Sequence, residues 1–214
     1  DLGIAFDGDG DRILVIDDVG EIVDGDLLIY IFAKYLKANN LLSNDLVVLS
    51  KMSNIGIIKA LKTLGIETIQ TDVGDKYIIK AMEDYKASIG GENSGHIINK
   101  TLLNTGDGVL NAYYLLKILD HYQISLSDYK QEVKFYPDKL VNIKNIDKNL
   151  VNDKDILALV EKHRESLGDD GKILVRASGT EPLVRVSVSA KNQEIVDNII
   201  AEILDAFENK KKGE

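Results

Sequence analysis

The run from Leu46-Val47-Val48-Leu49, through Ile55-Gly56-Ile57-Ile58-Lys59-Ala60-Leu61-Lys62-Thr63-Leu64-Gly65, to Ile66-Glu67-Thr68-Ile69 sets a short apolar segment, a segment of helical spacing and a second apolar segment in succession. An apolar run this short, with no alternation, reads as a strand buried on both faces. Residues 55–64 carry apolar positions at helical spacing and stop at Gly65, a helix-ending glycine. Residues 76–85 read as the next helix, and Ile89 leads into Gly90-Gly91. Strands alternating with helices argue for a parallel sheet in an α/β domain.

Working outward, Asp24-Gly25-Asp26 opens a helix to about Asn39, with its acids at the positive end of the helix dipole. Further upstream, residues 4–6 and 13–16 read as apolar strands around an Asp/Gly-rich loop. Downstream, Gly106-Asp107-Gly108 starts a long helix to about Tyr122. The pattern changes after Tyr129. Residues 133–144 read as one long strand or hairpin interrupted at Pro137, and residues 153–166 as a helix. Strands at 172–176 and 183–190 flank a turn, and a helix covers 193–207. So few residues join those two strands that they must be antiparallel. The expected fold class is α/β: a parallel-sheet α/β domain followed by a small α+β domain with an antiparallel sheet. Residues 124–132, rich in Ser, Asp, Lys and Gln, are the expected linker and are expected to include or adjoin a hinge, and residues 209–214 are the expected disordered tail.

Composition narrows the function classes. A formal net charge of −9 argues against a nucleic-acid partner. An acidic protein that holds an anion needs local cations or a metal to offset its own field. No apolar run is long enough to span a membrane. With no cysteine, neither a disulfide framework nor a thiolate metal site is possible, which suits a cytoplasmic location. The sequence begins with Asp1 rather than Met, inside what reads as a buried strand, so it reads as a piece of a longer chain.

Three loops carry chemistry. In Asp7-Gly8-Asp9-Gly10-Asp11-Arg12, carboxylates at alternate positions of a glycine-bearing turn converge on one hard cation. A solvated acidic turn is the plain alternative. Three acids held between two apolar strands favour the cation, because their mutual repulsion needs compensation. An EF-hand loop would need Gly at its sixth position and Glu at its twelfth, where Arg12 and Asp18 stand. A dehalogenase-type phosphatase loop ranks lower, since Arg12 follows the acids and the later loops do not suit it.

Gly91-Glu92-Asn93-Ser94-Gly95-His96 brings a carboxylate, a hydroxyl and an imidazole into one turn, a set suited to sugar hydroxyls and to proton transfer. An ordinary surface turn is the competing reading. His121 and His163 fall in helical stretches and read as surface or packing residues. In Arg176-Ala177-Ser178-Gly179-Thr180-Glu181-Pro182, with Arg185 following, successive amides and two hydroxyls suit one anion, and two guanidinium groups flank it. The spacing is not that of a Walker A loop. Arginine usage argues against a plain β-turn. The chain holds 22 Lys but only four Arg, and Arg12, Arg176 and Arg185 lie in or beside these loops, with Arg164 the exception.

In this order the three loops resemble those of the α-D-phosphohexomutase superfamily, and the resemblance covers almost the whole chain. It implies that residues 1–20 end the metal-loop domain (domain 2), 21–128 form the sugar-binding domain (domain 3) and 132–208 the phosphate-binding domain (domain 4). Met52-Ser53-Asn54-Ile55-Gly56, Val73-Gly74-Asp75-Lys76-Tyr77, residues 91–98 with Thr105-Gly106-Asp107-Gly108, and residues 178–185 look like the branch that interconverts glucosamine 6- and 1-phosphates. Carried over, the resemblance implies Mg²⁺ on Asp7, Asp9 and Asp11, with Arg12 beside the transferring phosphoryl group. It implies sugar hydroxyls on Glu92 and Ser94, and His96 at the reacting end. Arg176, Ser178, Gly179, Thr180 and Arg185 would grip the non-reacting phosphate. The family's Ser-His-Asn-Pro-type nucleophile loop does not occur in the sequence, so the chain alone is expected to be inactive. The alternatives are a mutase of glucose or mannose phosphates and a non-catalytic sugar-phosphate-binding module.

Overall fold

The computed structural model describes residues 1–179 and 181–212, and the chain divides into two compact units, 1–134 and 135–214. In the first unit, β1 (Gly3–Phe6), β2 (Ile13–Ile16) and β3 (Ile22–Val23) form an antiparallel sheet in that order. Gly3 pairs with Ile16 and Phe6 with Ile13, so the acidic loop is the turn of this hairpin. β1 is not the buried strand its apolar run suggests. It is an edge strand, with Phe6 44% exposed.

α1 (Gly25–Ala38) begins at Asp24, whose side chain accepts the Leu27 amide. It is buried almost all round, from Leu27 to Ala33, as befits a central core helix. β4 (Leu46–Ser50) follows, buried at every position. α2 (Ile55–Thr63) is capped by Asn54 and ends before Gly65, which adopts φ +69°. β5 (Glu67–Thr71) and α3 (Asp75–Asp84) come next. β6 (Ile89–Gly91) and β7 (Ile97–Asn99) complete a four-stranded sheet of order β5-β4-β6-β7.

β4 pairs in parallel with both β5 and β6, as strand–helix alternation requires, while β7 runs antiparallel to β6. The sheet is therefore mixed at one edge, and the Gly91–His96 loop is the turn of a hairpin. Val48 faces α3 through Ile78, Ala81 and Met82. α4 (Gly108–Tyr122), capped by Asp107, carries Leu115 and Ile118 into the core.

The expected linker is instead a helix, α5 (Leu126–Gln131), nucleated by a reciprocal capping box of Ser125 and Asp128. The segment is fastened within the first unit. Ser127 donates to Asp18, Lys130 pairs with Glu21, and Glu132 accepts from Tyr30 and Lys34. Ser127, Lys130 and Glu132 thus take partners within the first unit.

In the second unit, β8 (Asp138–Lys144) begins only after Pro137, whose missing amide hydrogen ends the longer strand that the apolar pattern suggests. α6 (Lys154–Leu167), β9 (Gly171–Ala177), β10 (Leu183–Ala190) and α7 (Gln193–Lys212) follow. The sheet order is β8-β10-β9 and every pairing is antiparallel. Val184, Val186 and Val188 alternate inward against Val196, Ile200, Ile203 and Phe207 of α7 and Ile156 and Val160 of α6. α7 continues through Lys212, so residues 209–212, expected to be disordered, form its last turn. Lys210 anchors that turn on Asp153 and Asp155 at the start of α6. Residues 213 and 214 of the expected tail lie outside the described residues.

Candidate active site

The acidic loop is folded by its own backbone. Gly10, at φ +75°, donates its amide to the Asp7 carbonyl, and the Arg12 amide donates to an Asp7 carboxylate oxygen at 3.2 Å. One oxygen from each of Asp7, Asp9 and Asp11 lies within 4.8 Å of the others. The Arg12 Nε stands 3.6 Å from Asp7 and 3.7 Å from Asp11. Burial works to raise the Asp7 carboxyl. The Arg12 amide, hydrogen bonding with Asp11 and Asp9, and the Arg12 guanidinium outweigh it and hold the carboxyl below its ordinary value. Asp11 Oδ1 is buried without a hydrogen bond. Clustered carboxylate oxygens with spare acceptor capacity are the donor set a hard divalent cation takes.

The β6–β7 hairpin is joined to this loop through main-chain contacts. Arg12 and His96 form a lone antiparallel bridge, and Ile13 donates its amide to the Gly95 carbonyl at 3.2 Å. The approach is so close that a Cβ on Gly95 would stand 2.0 Å from the Ile13 carbonyl oxygen. Gly108, at the start of α4, donates its amide to the Gly10 carbonyl at 2.8 Å. Gly25, at the start of α1, donates to the Asn93 carbonyl. Two helix N-termini thus hold the two loops in place.

His96 is 6% exposed, and its Nδ1 lies 3.1 Å from Asp11 Oδ2. The histidine of the sugar loop therefore touches a carboxylate of the acidic loop. Glu92 is also buried, and one of its oxygens accepts the Gly74 amide at 2.8 Å. Ser94 is exposed at the tip of the turn. The loops after β4, β5 and β6 gather at the carboxyl ends of the parallel strands, where open α/β sheets bind ligands. There Asp26, buried in the first turn of α1, accepts the Asn54 amide at 2.6 Å.

In the second unit Arg176 and Arg185 stand directly opposite each other on β9 and β10, so both leave the same face of the sheet. Like charges in that register repel. Arg185 is held by Glu181 at 2.9 Å, while Arg176 makes no ion pair among the described residues. Ser178 is buried. Its amide donates to the Leu183 carbonyl, and its hydroxyl accepts the Glu181 amide. Gly179 is exposed, with open space around it. Thr180, expected in the same cradle, lies outside the described residues.

Sequence reading gave no place in the site to Asp26, to Gly74 as a donor to Glu92, or to Lys148, whose ammonium donates to the Ser178 carbonyl at 3.0 Å. Asp26 had a local signal as an acid at the start of a helix, and the glycine its place in the Val73–Tyr77 motif. Lys148 is one lysine among 22, and nothing next to it in sequence marks it.

The mixed α/β unit with its acidic loop and Gly-rich hairpin, and the second unit with its cationic turn, correspond to two domains of the phosphohexomutase family. Residues 24–136 match the family described as phosphoglucomutase/phosphomannomutase, alpha/beta/alpha domain III, and residues 140–206 match its C-terminal domain. The chain belongs to this family. Its curated relatives include the phosphoglucosamine mutase of Ligilactobacillus salivarius (strain UCC118), 45% identical over 97% of this chain and 46% of the relative. That of Bacillus subtilis (strain 168) is 44% identical over 96% of this chain and 46% of the relative. The chain thus spans about half the length of the curated relatives it matches. Among solved structures, the N-acetylphosphoglucosamine mutase of Aspergillus fumigatus shares the fold, with TM-score 0.82 and 19% identity over 96% of this chain and 48% of that one. A second structure of that Aspergillus fumigatus enzyme, in complex with GlcNAc-6P and magnesium, has TM-score 0.80 and 20% identity over 96% of this chain and 52% of that one. No helix among the described residues is long and apolar enough to cross a membrane.

Proposed function

We propose that the chain is the sugar- and phosphate-binding part of a phosphoglucosamine mutase. The reaction interconverts glucosamine 6-phosphate and glucosamine 1-phosphate through a phosphoserine enzyme and a bisphosphorylated sugar, feeding cell-wall and other amino-sugar precursors in the cytoplasm. The contact between Asp11 and His96, with the backbone bridge beside it, carries this reading, because it makes one site of the acidic loop and the sugar hairpin. The 45% identity to a phosphoglucosamine mutase supports the choice of sugar.

Asp7, Asp9 and Asp11 would hold Mg²⁺, and their clustered oxygens fit it. When bound, the ion supplies Lewis acidity toward a phosphoryl oxygen. Arg12, already ion-paired to two of these acids, offsets charge that develops on the transferring group. Glu92 keeps one oxygen for sugar hydroxyls while Gly74 fixes the other, and Ser94 donates and accepts at the exposed tip. His96, oriented by Asp11, moves a proton at the reacting hydroxyl. Arg176, Ser178, Gly179, Thr180 and Arg185 grip the phosphate that does not react. Fixing the substrate at both ends is the main demand of phosphoryl transfer.

No serine of this chain lies in a nucleophile loop of the family type, so the chain alone is expected to show no turnover. The test fuses it to the part of the Bacillus subtilis relative that it does not match, and compares glucosamine, glucose and mannose phosphates. Turnover fastest on glucosamine phosphate supports the reading. Preference for glucose or mannose phosphate moves it to those substrates, and turnover by the unfused chain contradicts it.

A further inference from the structure

The Ser178–Gly179 peptide has an orientation that the phosphate-loop residues alone do not explain. Its carbonyl accepts the Lys148 ammonium at 3.0 Å. Lys148 opens the turn that follows β8, and Asp147 caps that turn by accepting the Asn149 amide at 2.9 Å. Several other lysines spend their charge on carboxylates, among them Lys34 on Glu132, Lys51 on Asp72, Lys139 on Asp197 and Lys210 on Asp153 and Asp155, and Lys37 adds to its pairing with Asp45 a hydrogen bond to the Gly65 carbonyl at 2.7 Å. Among the described residues Lys148 forms no ion pair, and its partner is a backbone carbonyl.

A trans peptide is planar, with its carbonyl and its N–H pointing in opposite directions, and no cis bond occurs among the described residues. An ammonium that captures the Ser178 carbonyl therefore aims the Gly179 N–H the other way. The charge on one side and the peptide dipole on the other reinforce each other, as in backbone nests that receive anions. Glycine makes such a peptide easy to flip, so an external anchor is needed to keep it in one orientation. The Ser178 amide is already committed to the Leu183 carbonyl and cannot serve the ligand.

We propose that Lys148 is a positioning residue of the phosphate cradle, locking the Ser178–Gly179 peptide so that the Gly179 amide faces the bound phosphate ester. The proposal rests on reading this loop as the phosphate site. Lys148 does not touch the ester itself. It acts through one peptide plane, so its loss weakens binding without removing the arginines.

The experiment measures binding of glucosamine 6-phosphate and of inorganic phosphate to the 214-residue chain by calorimetry. The wild type is compared with Lys148→Met, Lys148→Arg and Arg176→Gln, and thermal melting is recorded for each. Lys148→Met is expected to weaken both ligands about tenfold, the scale of one charge-assisted hydrogen bond, with an unchanged melting temperature. Lys148→Arg, which keeps a cationic donor, restores most of the affinity. The amide resonance of Gly179 shifts in Lys148→Met before any ligand is added. Wild-type affinity in Lys148→Met, with Arg176→Gln impaired, overturns the role of Lys148 and leaves the phosphate site standing. Failure of the wild type to bind either ligand overturns both. If Lys148→Met does not fold, the arginine variant decides: wild-type-like affinity there supports the proposal, and affinity as low as that of Arg176→Gln overturns it.

Discussion

Gly179 and Gly95 are both loop glycines, and they answer an added methyl group in opposite ways. A Cβ on Gly179 meets nothing within 4 Å, so Gly179→Ala is expected to melt with the wild type. If the open space is where phosphate sits, the same variant loses about tenfold or more in affinity for glucosamine 6-phosphate, and calorimetry beside a melting curve separates the two effects. Gly95 has φ +91° and backbone 2.0 Å from the position of its absent Cβ. Gly95→Ala is expected to lose roughly 2–4 kcal/mol of stability in a urea titration, because neither the dihedral nor a main-chain neighbour yields readily. Gly106 falls between them. An added methyl there lies 2.4 Å from the His96 ring, a side chain that can move. Gly106→Ala should therefore leave the fold intact and shift the His96 ring resonances as the contact with Asp11 opens.

At the scale of elements, α5 shows how a helix escapes notice. Six residues are too few to display periodicity, and the polar composition of the segment reads as linker. Its only local signature is Ser125 with Asp128 three positions later, a capping box written with Asp in place of Glu or Gln. Ser125→Ala is expected to cost about 1 kcal/mol in the same urea titration. β4 was legible because burial on both faces leaves a strand uniformly apolar. β7 was not, because three residues carry no period and its direction depends on a partner.

The α6–α7 contact gives a test by pH. Asp153 is held below its ordinary value by Lys210 and by two amides of α6, against the opposing pull of burial. Its folded-state pKa is thus the lower one. The stability it adds is complete above its ordinary 3.8 and is lost as pH falls through the depressed value. The difference in melting temperature between wild type and Asp153→Asn should be steady near pH 6 and shrink towards pH 3.

Over the whole molecule, each unit has its own core, and the second closes α6 and α7 over one face of its sheet. Residues 135–214 expressed alone are expected to unfold cooperatively, with coincident circular dichroism and fluorescence transitions. The candidate site was partly legible at this scale. Charged or glycine-rich turns between apolar runs stand out locally, so each of the three loops could be picked from the sequence. Their assembly could not be read there, because Asp11 and His96 are 85 positions apart and the amide of Ile13 gives no sign that it will meet Gly95. That meeting is made of main-chain atoms, which every amino acid supplies alike. Mutational drift can therefore rewrite most of the side chains around the acidic turn and the hairpin while their mutual placement is inherited intact, provided the few glycines at the crossing are kept.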